Sequence, residues 1–159
     1  MRERCFSYKL PDEEASVGYV SDILEGKGRD VLRIDAAATV YDAIARMVEG
    51  NVGALLVYDA GRLAGIVTER DYLRRVALEG RDERTTPVRE IMTGELVYVG
   101  PDASIDECMA VMTERRIRHL PVLADGREVV GIVSIGDVVK FHSKEQSVQI
   151  QFLTEYISG

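Results

Sequence analysis

One short phrase occurs twice in the chain, and a fold must accommodate both copies. Gly65-Ile66-Val67-Thr68-Glu69-Arg70-Asp71 returns 66 residues later as Gly131-Ile132-Val133-Ser134-Ile135-Gly136-Asp137. Each copy has a glycine in an apolar, β-branched run, a hydroxyl residue three positions on, and an aspartate three after that. An internal repeat outranks any local reading, because it sets the architecture. The correspondence extends backwards at an offset of 65 through Arg62 and Arg127, and Glu128 supplies the one extra residue. In 159 residues, such a duplication means two small halves sharing one domain-sized chain.

Read in order, residues 1–16 form an N-terminal extension of mixed charge, with Pro11-Asp12-Glu13-Glu14 marking a turn or helix start. Val17, Val20, Ile23 and Leu24 then space out a short amphipathic helix ending at Gly26, with Gly26-Lys27-Gly28 as a turn. Repeat 1 spans 17–79. It continues with a strand at 31–34 and a helix capped by Thr39 whose apolar face is Val40, Ile44, Met47 and Val48. Strands at 54–58 and 63–67 follow, joined by the turn Asp59-Ala60-Gly61-Arg62, and then a helix over 70–78. The unit reads β-α-β-β-α. A polar linker, 80–86, leads to Pro87 and one helical turn through Met92.

Repeat 2 spans 87–142 and rewrites the unit. It has a strand at 96–99, Ser104 as cap, a helix facing inward through Ile105, Met109 and Met112, and strands at 120–123 and 129–133. Tyr58 and Tyr98 read as sheet packing, and Met47, Met109 and Met112 as core. The tail, 143–159, continues a helix begun at Val138. Its apolar Val148, Phe152, Leu153 and Tyr156 need a cover, and a second copy of the chain is the economical one.

Composition removes several classes of function. A net charge of −7 with no basic stripe argues against nucleic-acid binding by the surface. No apolar run approaches the ~20 residues of a membrane span, and the N-terminus shows no signal peptide. Cys5 and Cys108 are far apart and form no metal or redox motif, so Cys108 reads as a buried thiol and the compartment as cytoplasmic. No Walker-type glycine loop, metal-ligand spacing or nucleophile with a base is present, so an enzyme, for instance a nucleotide hydrolase, is disfavoured.

The repeated turn supports two readings. In one, Thr68 with Asp71 and Ser134 with Asp137 are capping boxes, each pair satisfying amides at a helix start. In the other, the same groups form a nucleotide site: helix amides for a phosphate, a hydroxyl donor, and a carboxylate to accept both hydroxyls of a ribose. Gly65 and Gly131, lying within strands, mark the close approach of a backbone or ligand.

The doubled Gly-apolar-apolar-Ser/Thr-x-x-Asp pattern, with Arg116-Ile117-Arg118-His119-Leu120-Pro121-Val122 before its second copy, resembles a tandem pair of CBS (cystathionine β-synthase-type) domains, a Bateman module. The resemblance covers roughly Val17 to His142 and implies an α/β fold with pseudo-two-fold symmetry. Small three-stranded sheets would pack against helices, with two ligand clefts between the repeats. It implies a regulatory ligand-binding module, not an enzyme, that binds AMP, ADP, ATP or NAD(H) and acts through a homodimer. One cleft would use Ser134, Asp137, Arg118 and His119 with Gly53, Ala54 and the turn Lys27-Gly28-Arg29. The other would use Thr68, Arg70 and Asp71 with the segment Thr93 to Val97 and Arg118-His119. In the first repeat Asn51-Val52-Gly53-Ala54-Leu55-Leu56 replaces the basic residues and the proline, leaving Arg70 and Lys27 as its nearest phosphate partners. Arg116 is open between phosphate contact and a solvated helix end, and His119 could instead pack on the sheet. S-adenosylmethionine ranks below the nucleotides, since a sulfonium gains little from Arg118. A structural dimerisation module without ligand is the remaining alternative.

Overall fold

The duplication persists in the details of the backbone. The computed structural model describes residues 4–5, 18–125 and 127–158. Apart from Arg4 and Cys5, the N-terminal extension lies outside the described residues, as do Val17, Gly126 and the side chain of Tyr156. The elements are β1 (Arg4–Cys5), α1 (Val20–Lys27), β2 (Arg33–Asp35), α2 (Val40–Gly50), β3 (Ala54–Asp59) and β4 (Arg62–Thr68). Next come α3 (Glu69–Tyr72), continued by a π-helical turn (Leu73–Ala77), and a 3-10 turn (Val88–Glu90). They finish with β5 (Val97–Tyr98), α4 (Ile105–Arg115), β6 (His119–Ala124), β7 (Glu128–Ser134) and α5 (Ile135–Ser158). The fold is mixed α/β with small sheets and a long C-terminal helix.

Four non-glycine residues among those described take positive φ, and they fall into two pairs 65 positions apart. Asn51 and Arg116 end α2 and α4 in the left-handed conformation. Ala60 and Asp125 turn the hairpins β3–β4 and β6–β7. Thr39 and Ser104 cap α2 and α4 with full capping boxes. Even the irregularities repeat: the register shifts between Val57 and Tyr58 in one hairpin and between Val122 and Leu123 in the other.

The chain divides into two compact units that do not follow sequence order. Among the described residues, unit 1 holds 4–5 and 30–97, and unit 2 holds 18–29, 98–125 and 127–158. In unit 1, β2 lies parallel to β3, which is antiparallel to β4. The core under this sheet gathers Ile34, Val40, Ala43, Met47, Leu55, Val57, Val67, Val76, Val88 and Ile91. Unit 2 keeps the antiparallel pair β6–β7; of the strand expected at 96–99, Val97 and Tyr98 form β5, and Val99 meets β6 only through a single parallel bridge to Val122. Gly100-Pro101 follows immediately, and proline has no amide with which to extend the ladder.

Each unit is closed by the strip at the head of the other repeat. In unit 1, the Val88 amide donates to the Ala38 carbonyl (2.8 Å), the Arg89 amide to Ala36 (3.0 Å) and the Val40 amide to Thr86 (2.9 Å). Unit 2 makes the same three bonds: Val20 to Ala103 (2.9 Å), Ser21 to Pro101 (3.0 Å) and Ile105 to Gly18 (3.0 Å). These bonds occupy amides at helix starts that have no partner inside the helix. The linker 80–86 is therefore not slack. Buried Thr86 donates its hydroxyl to the Asp82 carbonyl (2.7 Å), and Arg84 lies over the Tyr41 ring.

Two expected core residues turn outward. Val48 is 75% exposed and Met109 38% exposed. The inward faces of α2 and α4 are centred on Ala43 and Cys108, equivalent positions in the repeat, with Met47 and Met112 beside them. At 100° per residue, Val48 and Met109 lie well round from those centres. The first helix also runs past Gly26 to end at Gly28, and the helix expected over 70–78 becomes α3 with its π-helical turn.

The repeated glycines answer to contacts of different stiffness. A Cβ on Gly65 would overlap the carbonyl oxygen of Thr93, whose backbone is bonded both ways to Ile66 (3.0 and 2.9 Å). A Cβ on Gly131 would press on the δ-methyl groups of Leu24, which can shift. Gly65→Ala should therefore cost about 2–3 kcal/mol and Gly131→Ala about 1 kcal/mol, read by urea unfolding. Equal losses would contradict this assignment of contacts.

Candidate functional site

The candidate residues of unit 2 collect where β7 runs into α5. Ser134 ends the strand and Asp137 lies in the first turn of the helix. The Ser134 amide donates to Asp137 Oδ2 (2.9 Å), and the Asp137 amide donates to Ser134 Oγ (3.2 Å). His119 is paired with Ser134 across the β6–β7 ladder, and the Ile135 amide donates to the Arg118 carbonyl (2.8 Å). Lys27 arrives from the last turn of α1, and its Nζ donates to Asp137 Oδ2 at 2.6 Å. Gly28 caps that helix at φ 94°, a conformation open to glycine. None of these bonds uses Asp137 Oδ1.

The corresponding turn of unit 1 has the same frame. The Thr68 amide and hydroxyl donate to Asp71 Oδ2 (2.9 and 3.1 Å), and the Asp71 amide donates to Thr68 Oγ1 (3.3 Å). Ala54 pairs with Thr68, and the Glu69 amide donates to the Gly53 carbonyl (3.1 Å), the counterpart of the Ile135–Arg118 bond. Arg70 stands exposed in the first turn of α3. Thr93 bridges to Ile66, so its backbone is committed to the sheet; Val97 lies half-buried in β5.

The capping-box reading of both turns is therefore realised, each box stabilising its helix by about 1 kcal/mol. The carboxylates cap through Oδ2 and present a second oxygen. Lys27, Arg118, His119, Ser134 and Asp137 come together in unit 2, and Gly53, Ala54, Thr68 and Asp71 in unit 1. Arg116 is exposed, its backbone capping α4 in the left-handed conformation. The sequence points to Lys27 as a phosphate partner and hides its ion pair with Asp137, 110 residues away. It also hides Arg75, whose guanidinium donates to the carbonyls of Ile91 (2.8 Å) and Met92 (3.2 Å) and steadies the segment leading to Thr93.

Cys108 and Asp137 titrate away from their ordinary values. Cys108 is fully buried, and burial, with the Glu107 charge adding to it, pushes its thiol up to about 12. It is an inert core side chain. Burial also acts to raise the Asp137 carboxyl, but the Lys27 hydrogen bond, the Ser134 amide, the Lys27 charge and the Ser134 hydroxyl outweigh it, and its pKa is lowered.

This architecture is that of a tandem regulatory module of CBS domains. The CBS domain family matches twice, over residues 17–78 and 88–144, and the chain belongs to that family. It is 43% identical over 149 residues to the CBS domain-containing protein CBSX3, mitochondrial, of Arabidopsis thaliana, an alignment covering 88% of this chain and 72% of that protein. A CBS-domain protein from Burkholderia ambifaria superposes with a TM-score of 0.77 at 50% identity, over 80% of this chain and 96% of that one. The CBS domain pair of MJ0100, solved in complex with 5′-methylthioadenosine and S-adenosyl-L-methionine, superposes with a TM-score of 0.71 at 25% identity, over 82% and 99%. Tandem CBS domains are regulatory ligand-binding modules. No helix among the described residues is long and apolar enough to cross a membrane.

The lowered Asp137 pKa has a consequence that can be measured. The pair with Lys27 adds stability while the carboxylate is charged and loses it as pH falls below the ordinary carboxylate range. Both side chains are partly exposed (32% and 23%), so screening limits the contribution to about 1 kcal/mol or less. Carboxylate NMR should find Asp137 titrating below an ordinary aspartate, and Lys27→Met should move it upward. An unmoved midpoint in that variant would contradict the pairing.

Proposed function

We propose that this chain is a regulatory sensor that binds an adenine nucleotide at the head of α5 and signals through a homodimer. Asp137 takes the ribose hydroxyls, Ser134 and the start of α5 face the phosphate, and Lys27 and Arg118 supply positive charge. Arg116 and His119 complete that rim. Thr68, Arg70 and Asp71, with Thr93 and Val97, form a second site that lacks the Arg118-His119 pair at its own positions.

The observation that carries this reading is the conjunction on β7 and α5. A carboxylate with an uncommitted oxygen stands beside a helix start, flanked by a lysine. The MJ0100 pair supports an adenosyl ligand, since both molecules in its complex contain adenosine. That neighbour also makes S-adenosylmethionine the second reading. Cations at the site favour AMP, ADP, ATP or NAD(H) over a sulfonium. The role is regulatory rather than catalytic, and the free, buried Cys108 suits a reducing cytoplasm.

Calorimetry with AMP, ADP, ATP, NADH and S-adenosylmethionine tests the ligand. Asp137→Asn should weaken nucleotide binding about tenfold, the scale of a lost charge-assisted hydrogen bond. It keeps an oxygen for the Ser134 amide. Full affinity in both Asp137→Asn and Asp71→Asn would remove the ribose assignment. The absence of any ligand-induced thermal shift would leave a structural module.

The dimer rests on α5. Beyond the second repeat this helix exposes Val148 (45%), Phe152 (69%), Leu153 (61%) and Ile157 (82%). So much exposed apolar surface on one helix marks a contact surface. Deleting residues 145–159 should convert the dimer to monomer in light scattering; a persistent dimer would place the interface elsewhere.

A further inference from the structure

We propose that Lys27 decides which adenosine-containing ligands the α5 site accepts, by holding Asp137 until a molecule bearing both a ribose diol and a phosphate releases it. This rests on the nucleotide reading above. Lys27 Nζ is 2.6 Å from Asp137 Oδ2, the same oxygen that accepts the Ser134 amide at 2.9 Å. Oδ2 thus has two donors, one of them a full charge. A sugar diol taking the whole carboxylate must displace that charge.

The lysine is placed to move. It projects from the last turn of α1, whose backbone closes at Gly28, where the amide donates to the Leu24 carbonyl (2.9 Å). Leu24 itself is buried against Gly131 of β7, so α1 is anchored while the four-carbon stem of Lys27 remains free to swing. Its side chain is 32% exposed, which leaves the ammonium a route to a new partner.

Ligands then differ by what they return to the displaced ammonium. A neutral nucleoside breaks the ion pair and offers nothing in exchange. A sulfonium breaks it and adds repulsion. A 5′-phosphate gives the ammonium a stronger anion beside the helix start, so diol and phosphate are bound together. Lys27 accordingly selects phosphorylated nucleosides.

Calorimetry with adenosine and AMP on the full chain tests this, using Lys27→Met, Lys27→Arg and Asp137→Asn. Lys27→Met should bind adenosine about two- to fivefold more tightly, the worth of an exposed ion pair. It should bind AMP about tenfold more weakly, the worth of a charge-assisted bond. Lys27→Arg should restore the preference for AMP, and Asp137→Asn should weaken both ligands. If Asp137→Asn weakens both but Lys27→Met leaves the AMP-to-adenosine ratio unchanged, the lysine role is wrong and the site stands. If neither ligand binds, or Asp137→Asn changes nothing, the nucleotide site falls and the lysine role with it.

Discussion

The structure depends on helix-start amides being satisfied by a strip of chain from beyond their own repeat. The amides of α2 and α4 face outward at their first turns, and an amide without a partner costs a folded protein dearly once water is excluded. Here Thr86 serves Val40, and Gly18 serves Ile105. The strips are held in return, Val88 on Ala38 and Val20 on Ala103. Neither repeat, cut out at its own sequence boundaries, carries everything its compact unit uses. One consequence reaches the site: α1, written at the head of the first repeat, belongs to unit 2 and brings Lys27 to Asp137.

The two turns share a frame and differ in charge. Both aspartates cap their helices through Oδ2, so the capping and ligand-binding readings of one carboxylate are compatible. A capping oxygen keeps the side chain in a single rotamer and presents the other oxygen at a fixed angle, the kind of preorganisation a weakly hydrated binding site needs. Around that frame, Gly53 and Ala54 in unit 1 stand where unit 2 has Arg118 and His119. Duplication preserved the backbone geometry, including a β-bulge and four left-handed residues, while the charged rim diverged.

Much of this was legible in the chain itself. The caps Thr39, Thr68, Ser104 and Ser134 are local chemistry, with hydroxyl and acid three apart, and the hairpin turns are equally local. What escaped was pairing at a distance. The strips bind through backbone groups, which leave no apolar period to read, so 80–86 reads from sequence only as a polar linker. The Lys27–Asp137 pair is one choice among 20 basic and 27 acidic residues, and spacing does not single it out. Val48 and Met109 misled because an apolar residue beside a helical stripe is indistinguishable from one inside it until a sheet fixes the angle. Gly100-Pro101 trimmed the strand before α4 for a reason visible in hindsight.

A crystal structure of the full chain grown with AMP would test the central claim most directly. Density for the nucleotide is expected at the start of α5, with the ribose diol on Asp137 and Lys27 Nζ turned from that carboxylate to the phosphate. A nucleotide bound away from Asp137, with Lys27 still paired to it, would contradict the account.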